Sequence, residues 1–123
     1  MNKRFDTLRD VVRFVTNHLL EQNKRSLFAG RPQIGNGCAY RSYDGLTCAI
    51  GCLITDEEYH VGLENCDVSE DDVRTALENS LGVRELSRNA IDTFTKLQDI
   101  HDKASPSQWE HKLHDLDYTN ETL

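Results

Sequence analysis

Two apolar stripes with helical spacing leave this chain little room for a sheet-based fold. Leu8, Val11, Val12, Val15, Leu19 and Leu20 recur at steps of three and four residues. Leu86, Ala90, Ile91, Phe94, Leu97 and Ile100 do the same. Spacing of that kind lines one face of a helix and hides it against a core. It predicts a first helix over 6–24, with Asp6 or Thr7 as cap, and a longer one over 84–103. Between them Ser69-Glu70-Asp71-Asp72 resembles a capping box with Asp in place of Glu. Val73, Ala76 and Leu77 give that helix its face, and Gly82 ends it. Ser105-Pro106 reads as a restart, with Trp109, Leu113 and Leu116 lining a last short helix. Residues 118–123 are expected to fray.

The segment between the first two helices is less regular. Gly30, Pro32, Gly35 and Gly37 punctuate a loop, and Asn36-Gly37 and Asp44-Gly45 are turn signals. Cys38 to Tyr43 fits a short strand returning through Leu46-Thr47. The apolar run Cys48-Ala49-Ile50-Gly51-Cys52-Leu53-Ile54 reads as a short buried helix whose small residues admit a close neighbour. Thr55-Asp56-Glu57-Glu58 reads as a cap and an acidic helical turn. The expected fold is mainly α, a single domain over 1–123. It has four to five helices and a short β-hairpin near 38–47, with the two long helices packed around Cys48–Ile54.

Composition narrows the function classes. The chain has 123 residues, 14 Lys and Arg against 21 Asp and Glu, and a net charge of −7. An acidic chain gains little from phosphate contacts, which disfavours direct nucleic-acid binding. No apolar run approaches ~18 residues, so no membrane span is expected. Met1 to Asp6 starts basic without an apolar signal core, and the chain reads as cytosolic. Charge is segregated. Residues 1–31 carry seven basic and three acidic side chains, whereas Asp56–Glu78 carries nine acidic residues and only Arg74 as a base. The acidic stretch is either a solvated face or a patch for a basic protein partner, with Glu57, Glu58, Asp71 and Asp72 as its candidate contacts.

The chemistry-bearing residues fall into three groups. Tyr40, Arg41, Tyr43 and Asp44 place aromatic rings around an Arg beside two glycine turns. Arg forks hold phosphate or carboxylate and Tyr rings stack on planar groups, so Tyr40, Arg41 and Tyr43 are candidate ligand contacts. The plain alternative is an Arg41–Asp44 pair across a turn. His101-Asp102 is the second group. It serves either ligand binding or, with further ligands from other helices, metal-dependent hydrolysis; hydrogen bonding at the edge of the core is the simpler role. The third group is Cys38, Cys48, Cys52 and Cys66. Their gaps of nine, three and thirteen residues match no common zinc spacing, and buried thiols are the expected reading. Cys48 serves as a nucleophile only beside a helix start and a His. No phosphate loop, nucleophile elbow or zinc-deaminase pattern occurs. No cofactor and no metal enters this reading.

The run Cys38–Tyr59 resembles a group of small, uncharacterised proteins of phages and bacteria. Its marks are Tyr40-Arg41, Asp44-Gly45, Cys48-Ala49-Ile50-Gly51, Leu53-Ile54, Asp56 and Tyr59. Leu97-Gln98-Asp99-Ile100-His101-Asp102 and Trp109 extend the likeness across most of the chain. Thr47 stands where that group commonly has Lys, and Thr55 where it commonly has Pro. The resemblance implies a phage or mobile-element setting in the bacterial cytosol. It implies action by binding, as a monomer or homodimer, to counter a host defence. The partner is then a defence protein or a nucleotide second messenger. The competing expectation is a small hydrolase of nucleotide-like substrates using His101 and Asp102 or Cys48.

Overall fold

The structure, a computed structural model, describes residues 3–27, 39–42, 44–64 and 66–123. Among them are four α-helices: α1 Leu8–Gln22, α2 Asp71–Leu81, α3 Arg88–Lys103 and α4 Pro106–His114. Two single 3-10 turns, Gly51–Leu53 and Val61–Leu63, lie between α1 and α2. The mainly helical fold is as the two stripes predict. The fifth helix is not there: Cys48–Ile54 forms a turn and one 3-10 turn, and the Thr55–Glu58 segment is also a turn.

Caps explain the observed helix limits. Thr7 Oγ1 accepts from the Asp10 N–H at 3.2 Å, and Asn23 closes α1 in the left-handed region at φ 53°. Ser87 Oγ accepts from the Ala90 N–H at 3.0 Å, so α3 starts at Arg88, four residues later than its apolar stripe suggests. The stripe runs past the cap because Leu86 is buried before the helix begins. Its N–H is held by the Glu78 carboxylate at 2.8 Å. The expected capping box at Ser69 does not form. Ser69 Oγ donates to Asp67 Oδ1, and Glu70 is the N-cap residue without a side-chain bond. Asp71 and Asp72 nonetheless lie in the first turn, where the helix dipole favours anions. Ser105 likewise makes no capping bond, and Pro106 opens α4.

The expected short β-hairpin does not form among the described residues. Arg41 and Thr47 form one isolated antiparallel bridge, around a turn in which Gly45 adopts φ 85°. Two bonds flank that bridge, Ser42 N–H to Leu46 O at 2.9 Å and Cys48 N–H to Tyr40 O at 3.4 Å. The ladder goes no further because the Tyr40 N–H is taken by Glu64 Oε1 at 2.8 Å and the Cys48 carbonyl by the Cys52 N–H at 3.2 Å. Gln22 of α1 holds the outward-facing main-chain groups of Thr47, accepting from its N–H at 3.1 Å and donating to its carbonyl at 2.9 Å. Cys38 and Tyr43, the other residues of the expected strand, lie outside the described residues.

α1 packs on α3, α4 and the first 3-10 turn; α3 packs on α4, and α2 on the same 3-10 turn. Leu8, Val11, Val15 and Leu19 of α1 meet Phe94, Leu97 and Trp109 in a core that also takes in Ile50 and Leu53. Leu20, read from spacing as part of the α1 stripe, is exposed. Residues 118–123, expected to fray, are tied to the start of α1. The Leu8 N–H donates to Glu121 O at 2.8 Å, the Leu123 N–H to Asp6 O at 3.0 Å, and Thr7 bridges Thr122. No helix among the described residues is long and apolar enough to cross a membrane.

Gly51 marks the tightest approach. A Cβ placed there would lie 2.0 Å from the Tyr40 carbonyl oxygen and 2.8 Å from its carbon. The obstacle is backbone, so relief requires moving the 40–42 segment away from the core. Gly51→Ala is expected to lower the unfolding free energy by about 2–4 kcal/mol. Urea denaturation measures it, and a loss under ~0.5 kcal/mol contradicts the close approach.

Candidate functional site

In the 40–42 segment the Tyr40 carbonyl and the Ser42 N–H are bonded across the turn to Cys48 and Leu46, but the N–H groups of Tyr40 and Arg41 must find partners elsewhere. They find Glu64. Its Oε1 accepts from the Tyr40 N–H at 2.8 Å, and its Oε2 accepts from the Arg41 N–H at 3.1 Å and the Tyr59 hydroxyl at 2.6 Å. Glu64 is buried, and these three donors account for its charge. Burial, and then the carboxylate at its hydroxyl, push the Tyr59 phenol up, so Tyr59 keeps the proton it donates.

This arrangement aims Arg41. Its guanidinium carbon lies 4.5 Å from the centre of the Tyr59 ring, in a cation–π contact. Nη2 donates to the Ile54 carbonyl at 3.0 Å, and Nη1 pairs with Asp56 Oδ1 at 2.9 Å. The Arg41–Asp44 pair weighed from the sequence is therefore not the one formed, and Asp44 is held by Ser42 Oγ instead. Arg41 opens on a cleft of about 550 Å³ lined also by Phe14, His18, Thr47, Cys52 and Asp56. That volume falls within the range of small-molecule sites. His18 Nε2 lies 2.7 Å from Thr47 Oγ1, which fixes the ring at the cleft wall. Phe14 is 38% exposed, and its ring tilts against Phe5 with centroids 5.4 Å apart.

The other candidate ligand contacts lie elsewhere. Tyr40 belongs to the core, with its hydroxyl on the Cys66 carbonyl. Tyr43 lies outside the described residues. His101 is fully buried and stacks on Trp109 at 5.5 Å. The Ser26 N–H donates to its Nε2 at 3.0 Å, which leaves the proton on Nδ1 to meet Asp102 Oδ1 at 2.7 Å. Asp102 Oδ1 also accepts from Gln98 Nε2 at 2.9 Å, while Gln98 Oε1 accepts from the Ile50 N–H at 3.2 Å. The dyad is one link in a hydrogen-bonded chain through the core. Cys48 is buried as well, and burial pushes its thiol far up, opposite to what a nucleophile needs.

The acidic candidates divide into two places. Glu58 accepts from Asn79 Nδ2 at 3.0 Å, beside the last turn of α2. Asp71 and Asp72 lie at the opposite end of that helix, and Asp71 is paired with Arg74 at 2.9 Å. Eight residues of helix put roughly 12 Å between Asp71 and Asn79. Glu57 is exposed in the turn that follows Thr55.

Glu64, Tyr59, Phe14 and His18 are the site residues that sequence reasoning missed. Phe14 carried a signal: it is an aromatic off the buried stripe of an otherwise regular amphipathic helix. Glu64 carried none, being one of nine acids in its stretch.

Two outcomes follow. Glu64→Gln puts an amide N–H against backbone donors and is expected to cost about 1–3 kcal/mol in chemical denaturation. Stability is also expected to fall as pH rises above about 9. Burial pushes the Cys52 thiol from 9.0 up to about 12. The unfolded chain therefore releases that proton near pH 9 while the folded chain keeps it, and stability present below pH 9 is lost towards pH 12. Thermal melts of wild type and Cys52→Ser across pH 8–11 measure the difference, and equal slopes would contradict it. Comparison of the chain with protein-family models, with curated proteins and with solved structures finds no match.

Proposed function

We propose that this protein acts by binding, and that the Arg41 cleft takes a small planar anion of the nucleotide class. The carrying observation is the mounting of Arg41. Its guanidinium rests on the Tyr59 ring, is anchored by the Ile54 carbonyl, and faces a cleft of about 550 Å³ with an exposed Phe14 on its wall. A fixed guanidinium recognises phosphate with little loss of side-chain freedom, and an exposed aromatic offers a face for a base. Together they supply the two halves of a nucleotide: charge at one side, stacking at the other. Sequestration of a nucleotide signal, in the bacterial cytosol and against a host defence, is the role this fits within the phage setting that the Cys38–Tyr59 run implies.

The two other readings have weaker support. A hydrolase built on His101, Asp102 or Cys48 would need those groups to reach a substrate, and His101 and Cys48 are both fully buried. Capture of a basic protein by Glu57, Glu58, Asp71 and Asp72 rests on charge alone, and two of the four already have partners: Glu58 holds Asn79 and Asp71 pairs with Arg74.

The test is native mass spectrometry of protein purified from a bacterium with active nucleotide signalling, followed by calorimetry with ATP and with a cyclic dinucleotide. A retained mass of several hundred daltons is expected. Arg41→Ala should weaken binding by about 10- to 100-fold, the worth of hydrogen bonds to a charged group, with an unchanged circular dichroism spectrum. Phe14→Ala should weaken it by about tenfold. Binding unaffected by Arg41→Ala, or a stoichiometric host protein in place of a small ligand, overturns the proposal.

A further inference from the structure

The pairing of Arg41 with Asp56 has a consequence for the cleft's occupancy. Asp56 Oδ1 stands 2.9 Å from Arg41 Nη1, on the atom that an incoming anion would engage. The two partners differ sharply in how they are held. The Arg41 side chain is 28% exposed and is fixed from two other directions, by the Ile54 carbonyl at 3.0 Å and the Tyr59 ring at 4.5 Å. The Asp56 side chain is 91% exposed and sits in the turn just beyond Ile54. Rotation of its side chain away from Arg41 returns it to water, while the guanidinium keeps its other two contacts.

We infer that Asp56 is a built-in competitor: its carboxylate occupies the anion's place on Arg41 in the unliganded protein and is displaced when an anion binds. The inference rests on the Arg41 cleft being the binding site and names how that site is regulated. An exposed ion pair is weak, so the competitor lowers affinity modestly instead of closing the site. It lowers the affinity of every anion by the same factor, because each must displace the same carboxylate. The preference for phosphate over carboxylate is then set by Arg41 itself, on which a phosphate spreads its charge over several acceptor oxygens. His18, fixed at the cleft wall by Thr47, stands by as a further hydrogen-bonding group.

The experiment titrates wild type, Asp56→Asn and Arg41→Ala with inorganic phosphate, acetate and ATP, following the Arg41 guanidinium signals by NMR and affinity by calorimetry. Asp56→Asn keeps the side chain's shape and removes its charge. It is expected to tighten phosphate, ATP and acetate alike by about two- to fivefold, the worth of an exposed pair, and to leave the preference among them unchanged. Arg41→Ala, alone and combined with Asp56→Asn, is expected to lose the phosphate response in calorimetry. If Asp56→Asn leaves binding unchanged or weakens it while Arg41→Ala still abolishes it, the competitor is overturned and the cleft stands. If none of the three anions shifts the Arg41 signals in wild type or in Asp56→Asn, both the competitor and the cleft reading fall.

Discussion

A line of hydrogen bonds through the interior holds this fold in register. The Ile50 N–H meets Gln98, Gln98 meets Asp102, Asp102 meets His101, and the Ser26 N–H completes the line on the far side of the ring. It joins the segment after α1, the turn that carries the first 3-10 element, and α3. Apolar packing has no preferred direction and tolerates small slips; each of these bonds has one geometry. Two main-chain N–H groups that belong to no helix or sheet find their acceptors here, and no buried side-chain polar atom among the described residues lacks a partner. Arg25 strengthens the same region by donating to the carbonyls of His101 and Ala104, at 3.2 and 2.6 Å, where α3 ends.

The cleft inherits its shape from that frame. Once Ile50 is placed, Gly51 lies against the Tyr40 carbonyl and the 40–42 segment has one position available. Glu64 then collects the amides of Tyr40 and Arg41, and the Tyr59 hydroxyl brings the ring beneath the guanidinium. A close backbone approach, a buried carboxylate and a cation–π contact thus act in series on one side chain. The mounting leaves the Arg41 side chain little conformational freedom.

Much of the fold was legible in the chain because its helices follow one physical rule. An amphipathic stripe announces a helix, and α1 and α3 each display one. What was not legible depends on partners far apart in sequence. The 38–47 hairpin stops at one bridge because Glu64, 24 residues further on, takes the Tyr40 N–H that would extend it, and no local pattern records that. The start of α3 was misplaced because Leu86 obeys the helical spacing while Ser87 caps after it. Of the candidate contacts, Arg41 reaches the cleft, whereas Tyr40 and His101 turn inward. An aromatic or imidazole ring suits a core as well as a site, and only the surroundings decide. Glu64 shows the converse: a carboxylate in an acidic stretch reads as solvated until its three donors are seen.

The contacts between residues 120–123 and the start of α1 bear on the order in which the molecule assembles. The Leu8 and Arg9 amides, which a helix leaves without internal partners, are satisfied by Glu121 O and Asn120 Oδ1, at 2.8 Å each. Those acceptors lie more than a hundred residues away along the chain. During synthesis α1 therefore leaves the ribosome long before the groups that complete its first turn exist. Its apolar face waits as well, for Phe94 and Trp109. Closures between such distant residues raise contact order, and contacts of that kind slow folding relative to a purely local helical bundle.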